Sequence, residues 1–291
     1  MTPDFRIIDA NGVKLRAAVA GQGPLIVMVH GFPESWYSWR HQIPAIAAAG
    51  YHVIAPDMRG YNLSSRPRGF ASYTGERLAA DVRDLIRERG SEQAMLAGHD
   101  FGGEVAWATA MRHPEVVERL VILDALHPRR MLEGLRTPRQ MVRSWYYWVF
   151  QLPWLPERIM SARRFHMLRR LFERDARPGA FSAADVDRYV DAWSQPGAVG
   201  AMSDYYRALV RALLGEGHSR VSQVTAPTLV IWGQHDRYLG VELAEPDRAD
   251  VPNLDRVVVL PGASHWVMHD EPAEVSRLLI DFFSGTTGGR P

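Results

Sequence analysis

Residues 98–103 read Gly-His-Asp-Phe-Gly-Gly and lie between a short apolar run and a helical pattern. A strand that turns sharply into a helix presents one side chain above the sheet, and such a turn needs glycines because its backbone is strained and closely packed. Asp100 occupies the central position of this turn. An aspartate is ionised at neutral pH, so it could attack a substrate carbon without a base and form an ester. The structural alternative for Asp100 is an N-capping residue.

A histidine that could complete such a site is His265, in the sequence Pro-Gly-Ala-Ser-His-Trp. The chain has 11 histidines, and the position of His265 directly after the last apolar run distinguishes it from the others. An imidazole with a pKa of about 6.5 is suited to activate water at neutral pH. We therefore expect His265 to activate the water that cleaves the Asp100 ester.

Two aspartates could orient this histidine. Asp236 follows the apolar run that ends at Trp232, and Asp124 ends the run before it. A buried carboxylate beside an imidazole selects its tautomer and stabilises the imidazolium. We favour Asp236 for this role, and Asp124 remains the alternative.

The sequence His-Gly-Phe-Pro at residues 30–33 follows the first strong apolar run. The backbone N–H of Phe32 and that of Phe101 could bind the oxyanion that forms when water attacks the Asp100 ester. We expect His30, at the start of this loop, to contact the substrate.

Short apolar runs that alternate with helical patterns predict an α/β fold with a mostly parallel sheet. The runs span residues 25–29, 52–55, 94–97, 120–123, 228–232 and 257–260, and the helical patterns lie around 36–49, 75–89, 103–112 and 272–283. This rhythm stops in residues 126–222, which predicts a helical cap inserted into a core made of residues 1–125 and 223–291. The cap would cover the carboxyl ends of the strands, where open α/β sheets bind ligands.

The composition narrows the classes of function. The 291 residues are 46% hydrophobic and carry a net charge of +1, which does not indicate a nucleic-acid partner. The absence of cysteine excludes disulfides and thiolate chemistry, and no His-Glu-x-x-His or complete dinucleotide loop is present. We therefore expect no metal and no cofactor. A signal peptide and an apolar run long enough to span a membrane are also lacking, which predicts a cytoplasmic protein without a membrane partner.

Over nearly the whole chain, these motifs resemble the α/β-hydrolase-fold epoxide hydrolases, which are related to haloalkane dehalogenases. The resemblance implies the α/β-hydrolase fold and two cap tyrosines whose hydroxyls protonate the epoxide oxygen. The matching segments are Tyr-Tyr-Trp-Val-Phe-Gln-Leu-Pro, from residue 146, and Ser-Asp-Tyr-Tyr-Arg, from residue 203. The matches fall on Tyr146 and Tyr206, and their neighbours Tyr147 and Tyr205 are the alternatives.

The relatives of this family differ from the chain beside the nucleophile. Phe101 stands where haloalkane dehalogenases commonly have a tryptophan that binds halide, and Glu104 stands where fluoroacetate-type enzymes have an arginine. A charged Glu104 would repel a carboxylate substrate. A non-catalytic binding protein on this fold usually lacks a catalytic residue, whereas all the expected ones are present here.

We therefore expect a small apolar epoxide and water to react to a vicinal diol. Trp145 and Phe150 predict an apolar pocket that contacts this substrate. A homodimer is left open.

Overall fold

Eight strands form one sheet in the computed structural model, which describes residues 2–215 and 221–285. They are β1 (Asp4–Ala10), β2 (Val13–Ala20), β3 (Leu25–Val29), β4 (His52–Pro56), β5 (Ala94–His99), β6 (Val117–Leu123), β7 (Thr228–Gly233) and β8 (Leu254–Leu260). Their order across the sheet is β1, β2, β4, β3, β5, β6, β7 and β8. The β1–β2 and β2–β4 pairs are antiparallel and the other pairs are parallel.

The six predicted strands are confirmed, and the central ones show why they were recognisable. Every residue of β3, β5 and β7 is buried. Strands of a parallel sheet that helices cover on both faces are apolar along their whole length. The chain belongs to the α/β class that this pattern predicts.

The hairpin of β1 and β2 was not predicted, because β1 exposes five of its seven residues and lacks a continuous apolar run. A sequence signal for this hairpin was nevertheless available. Asn11 and Gly12 form its two-residue turn with φ angles of 48° and 75°. Asn-Gly is the residue pair that such a turn favours, because both positions need a positive φ.

The structure describes eleven α-helices, and a cluster of buried apolar side chains lies on each face of the sheet. They are α1 (Gln42–Ala48), α2 (Gly75–Glu88), α3 (Phe101–Arg112), α4 (Pro128–Leu135), α5 (Pro138–Arg143), α6 (Tyr146–Val149), α7 (Leu155–Asp175), α8 (Ala183–Trp193), α9 (Ala198–Leu214), α10 (Val267–Asp270) and α11 (Pro272–Phe283). Helices α2 and α3 contribute buried side chains to one layer, and α1 and α11 contribute to the other.

Helices α4 to α9 lie between β6 and β7 in the chain. Helix α7 is interrupted at residues 162–165, where the backbone torsion angles are not helical. Side chains from α5, α6, α7 and α9 line a cavity together with residues that follow β5 and β8. The boundaries of the cap, 126–222, stay a prediction. Within the described residues, every helix is too short or too polar to cross a bilayer.

Candidate active site

The turn between β5 and α3 holds Asp100 in a strained conformation, with φ of 51° and ψ of −123°. Glycine is required around it because a Cβ on Gly98 would lie 2.2 Å from the carbonyl oxygen of Gly102. A Cβ on Gly102 would lie equally close, 2.2 Å, to the carbonyl oxygen of Val29. This tight packing of backbone against backbone turns the side chain of Asp100 towards the cavity, and 19% of that side chain is exposed.

One backbone N–H group contacts the carboxylate of Asp100 directly. The N–H of Phe32 donates to Oδ1 of Asp100 at 2.7 Å. Phe101 is the first residue of α3, where an N–H group has no acceptor within the helix. The structure thus brings Phe32 into direct contact with the carboxylate and leaves the N–H of Phe101 in the adjacent first helical turn.

The imidazole of His265 lies between two carboxylates. Its Nδ1 is 2.8 Å from Oδ2 of Asp236, and its Nε2 is 3.4 Å from Oδ2 of Asp100. The backbone N–H groups of Tyr238 and Leu239 donate to the other oxygen of Asp236, at 2.7 and 2.9 Å. Asp236 is therefore held in place by its own turn and presents one oxygen to the histidine.

Two negative charges control the protonation of His265. Burial by itself would lower the pKa of His265, but the carboxylates of Asp236 and Asp100 raise it well above its ordinary value. The imidazole is consequently protonated at neutral pH. Neutralising either carboxylate would lower this pKa again.

Asp124 ends β6 in the left-handed region, with a φ of 43°. Its Oδ1 accepts the N–H of Gly233 at 2.8 Å, and within the described chain its buried Oδ2 has no hydrogen-bond partner. Burial, and then the charge of Asp236, raise the pKa of Asp124 well above its ordinary value. A protonated Asp124 thus lies next to the pair formed by Asp236 and His265, with side-chain polar atoms of the three residues within 4.8 Å of one another.

Two tyrosines from the inserted helices line the cavity that Asp100 and His265 also line. The rings of Tyr146 and Tyr206 are 5.7 Å apart and nearly perpendicular, at 87°. Phe150 stacks on Tyr206 with 4.0 Å between ring centroids. Burial, with a smaller contribution from the charge of Asp100, raises the pKa of both phenols well above the ordinary value, so both keep their protons.

The neighbours of these tyrosines do not line the cavity. The hydroxyl of Tyr205 donates to the carbonyl oxygen of Arg59 at 2.8 Å. Tyr147 is buried beside Tyr146, with 4.9 Å between ring centroids. Neither Tyr147 nor Tyr205 is among the residues that line the cavity. The geometry therefore favours Tyr146 and Tyr206 as the pair that faces Asp100.

A residue that the sequence did not single out connects the two tyrosine segments. Gln151 donates from Nε2 to the carbonyl oxygen of Tyr147 at 3.0 Å and to that of Tyr206 at 3.2 Å. This amide joins the chain after α6 to the middle of α9. Gln151 therefore positions the backbone that carries both phenols.

The cavity has a volume of about 840 Å³ and is lined mainly by apolar side chains. Phe32 and Phe150 lie inside it, and Trp145, which is 63% exposed, lies where it meets solvent. His30, by contrast, does not line the cavity. Its Nε2 accepts the N–H of Met58 at 3.1 Å, and its Nδ1 is 2.9 Å from the carbonyl oxygen of Gly31. We therefore assign His30 to the shape of the loop and not to substrate contact.

A buried carboxylate that the sequence analysis missed supports the histidine. Glu34 contacts Nδ1 of His99 at 2.9 Å and Nε2 of His269 at 3.0 Å. The other nitrogen of His99 lies 2.8 Å from the carbonyl oxygen of His265. Burial would raise the pKa of Glu34, but the two imidazoles hold it well below its ordinary value. The available signal was the position of Glu34 directly after the His-Gly-Phe-Pro loop.

The expectation that Glu104 repels an anionic substrate is wrong. Burial, and then the charge of Asp100, raise the pKa of Glu104 to about 8. Most of this carboxyl is therefore neutral at pH 7 and exerts little repulsion. The side chain of Phe101 still offers no hydrogen-bond donor for a halide.

Comparisons with known proteins agree with this arrangement. A family model described as the alpha/beta hydrolase fold matches residues 24–272. The chain is 41% identical to the AB hydrolase superfamily protein YfhM of Bacillus subtilis, in an alignment that covers 95% of this chain and 96% of that protein. It is 36% identical to human epoxide hydrolase 4, in an alignment that covers 96% of this chain and 78% of that protein. A crystal structure of a Bacillus megaterium epoxide hydrolase in complex with an inhibitor superposes with a TM-score of 0.87 at 33% identity, covering 96% of this chain and 100% of that one.

Proposed function

The chain belongs to the α/β-hydrolase-fold epoxide hydrolases, and we propose that it converts an epoxide to a vicinal diol through a covalent ester on Asp100. The observation that carries the proposal is the position of Tyr146 and Tyr206. They line the same cavity as Asp100 and His265 and keep their protons at neutral pH. An epoxide oxygen is a poor leaving group, so ring opening needs a proton donor opposite the nucleophile.

In the first step, an oxygen of Asp100 bonds to a ring carbon while the carbon–oxygen bond of the epoxide breaks. Tyr146 and Tyr206 hydrogen-bond the displaced oxygen, and one of them gives it a proton. The ester has no negative charge, so one of the two influences that raise the pKa of His265 disappears. The imidazolium then returns a proton to the tyrosinate, which leaves His265 neutral and ready to act as a base.

In the second step, His265 takes a proton from water, and the resulting hydroxide attacks the ester carbonyl carbon of Asp100. The N–H groups of Phe32 and Phe101 bind the oxyanion. The ester bond breaks, and the diol oxygen takes the proton from His265. The new carboxylic acid of Asp100 then protonates His265, which restores the resting state and leaves the oxygen of water in the aspartate.

The covalent route is tested by turnover of styrene oxide in water enriched in ¹⁸O. We expect diol as product and, after repeated cycles, ¹⁸O in the peptide that contains Asp100. A haloalkane supplied to the same enzyme should release no halide. Diol formation with no label in this peptide would refute the ester and indicate direct attack of water on the ring.

The proton donors are tested by tyrosine-to-phenylalanine variants. Tyr146→Phe and Tyr206→Phe should each slow ring opening about 10²-fold, because each loses one donor to the developing alkoxide. Tyr205→Phe is the matched control, since its hydroxyl donates to Arg59, and its ring-opening rate should change by less than about threefold. Full activity in the double variant of Tyr146 and Tyr206 would mean that another group supplies the proton.

A further inference from the structure

Large apolar side chains are exposed in one part of the inserted helices. Seven of the thirteen such side chains found in the described residues fall within residues 141–159. We call these seven the mouth face: Met141, Val142, Trp145, Trp148, Leu152, Trp154 and Ile159. Three of the nine tryptophans of the chain are among them. Such a concentration of exposed apolar surface marks an interaction site.

Four residues of the mouth face border the cavity. Val142, Trp145, Leu152 and Ile159 are exposed and also line the cavity, so they lie where it meets solvent. Apolar side chains of the cavity lining are therefore continuous with those exposed on the surface. A partner on this face would lie directly over the entrance.

The segment that carries the mouth face is strongly basic. Residues 126–222 contain 16 arginines and nine acidic residues, a net charge of +7. The remainder of the chain has 18 basic and 24 acidic residues, a net charge of −6. The near-neutral total thus conceals a cationic cap on an anionic core.

Three of these arginines line the cavity, and a fourth lies against the mouth face. Arg143, Arg170 and Arg174 line the cavity, and the guanidinium of Arg158 lies 5.6 Å from the ring centroid of Trp154. Among the residues that the structure describes, no carboxylate forms an ion pair with any of these four arginines. Asp175 also lines the cavity, but its charge is paired with Arg237 at 2.8 Å.

We propose that the mouth face docks on the surface of a bilayer that contains anionic lipids, with the cavity opening towards the lipid. Tryptophan prefers the boundary between headgroups and hydrocarbon, and arginine can place its apolar stem there while its charge binds phosphate. Basic residues next to such an apolar face strengthen binding to anionic membranes. A second copy fits less well, because it would bring together two segments 126–222, each with a net charge of +7.

The catalytic consequence of this docking rests on the proposed function. Apolar epoxides partition into bilayers, and an opening that lies on the lipid surface would receive them without passage through water. The binding itself does not depend on catalysis. A failure of the docking proposal is therefore distinguishable from a failure of the epoxide reaction.

Vesicle flotation of the full chain tests the docking. We expect binding to phosphatidylcholine vesicles that contain about one third phosphatidylglycerol, and at least about tenfold weaker binding to phosphatidylcholine alone or at about 0.5 M salt. Trp148→Ser/Trp154→Ser, at two positions outside the cavity lining, should weaken binding about tenfold or more. The control Ile7→Ser/Val259→Ser removes exposed apolar side chains from β1 and β8 and should bind like the wild type.

Hydrolysis of a small, water-soluble epoxide should be the same in the wild type and in Trp148→Ser/Trp154→Ser, which shows that the variant is folded. The absence of binding to anionic vesicles would overturn the proposal. Equal binding by the tryptophan variant and the wild type would also overturn it. A third outcome would also overturn it: sedimentation shows that the wild type is a dimer and the tryptophan variant a monomer, and the wild type does not bind vesicles. The mouth face would then bind a second copy of the chain.

Discussion

When Asp236 is replaced by asparagine, we expect the carboxylate of Asp124 to take over part of its role. An asparagine that still accepts the N–H groups of Tyr238 and Leu239 through its oxygen must turn its NH₂ group towards His265. Nδ1 of the imidazole would then have to accept a hydrogen bond, and the proton would move to Nε2. An imidazole protonated at Nε2 cannot take a proton from water there. On this basis alone, ester hydrolysis should slow about 10⁴-fold.

Asp124 should recover part of this loss. Its side chain lies within 4.8 Å of Asp236, where two charges interact by about 3.5 kcal/mol at an effective dielectric constant of about 20. Removal of the Asp236 charge therefore favours ionisation of Asp124 roughly 300-fold. An ionised Asp124 would attract the proton of His265 back to Nδ1. We expect Asp236→Asn to slow ester hydrolysis only about 10²-fold, and Asp124→Asn/Asp236→Asn about 10⁴-fold.

Asp124→Asn by itself is the matched control. Asparagine resembles a protonated aspartate in shape and can still accept the N–H of Gly233. The rate of ester hydrolysis should therefore fall less than about threefold in this variant. The assay is a single turnover in which the ester on Asp100 is quantified by mass spectrometry as it decays. Equal rates in Asp236→Asn and the double variant would refute the reserve role. A loss in Asp124→Asn as large as in Asp236→Asn would show that Asp124 itself orients the histidine.

Three further outcomes are expected. His265→Gln should still form the ester but not hydrolyse it, so mass spectrometry should find the mass of the substrate added to Asp100, and an unmodified enzyme would contradict the two-step scheme. Glu104 has a folded-state pKa of about 8 against an ordinary 4.5, so the folded state keeps a proton that the unfolded state releases, and stability falls as pH rises through this window. Between pH 5 and pH 9, the free energy of unfolding of Glu104→Gln, measured with urea, should therefore rise on the order of 2–4 kcal/mol relative to that of the wild type. No such rise would mean that the carboxyl is exposed to solvent. Gln151→Leu should slow ring opening about tenfold because the Tyr206 backbone loses a donor, and in single-turnover measurements ester hydrolysis should be unchanged.

Local patterns in the sequence were sufficient to predict six strands of the sheet and the longer helices that cover it. Residues 98–103 indicated the strained turn because only small residues allow backbone segments to approach so closely. Helix α11 was predicted with the bounds that the structure has, since Pro272 starts it and apolar residues recur at helical intervals. The β1–β2 hairpin was missed because an exposed edge strand needs no continuous apolar run.

Neighbouring candidates could not be separated from the sequence. Successive residues of a helix point about 100° apart, so Tyr205 and Tyr206 cannot both face the cavity, and only the packing of α9 decides between them. Asp124 and Asp236 both follow strands that are neighbours in the sheet. Which carboxylate reaches His265 depends on the turn after β7, whose N–H groups hold Asp236.

The sequence by itself determined six of the eight strands, the longer helices of the core, the turn that carries Asp100 and the place of His265 after the last strand, because these follow from local periodicity and backbone sterics. Only the tertiary structure decided which groups are charged and which side chains meet. Glu104 is mostly neutral because the fold buries it beside Asp100, and Glu34 supports His265 through contacts far along the chain. Burial and long-range contact are properties of the assembled chain, and no residue type or spacing contains them.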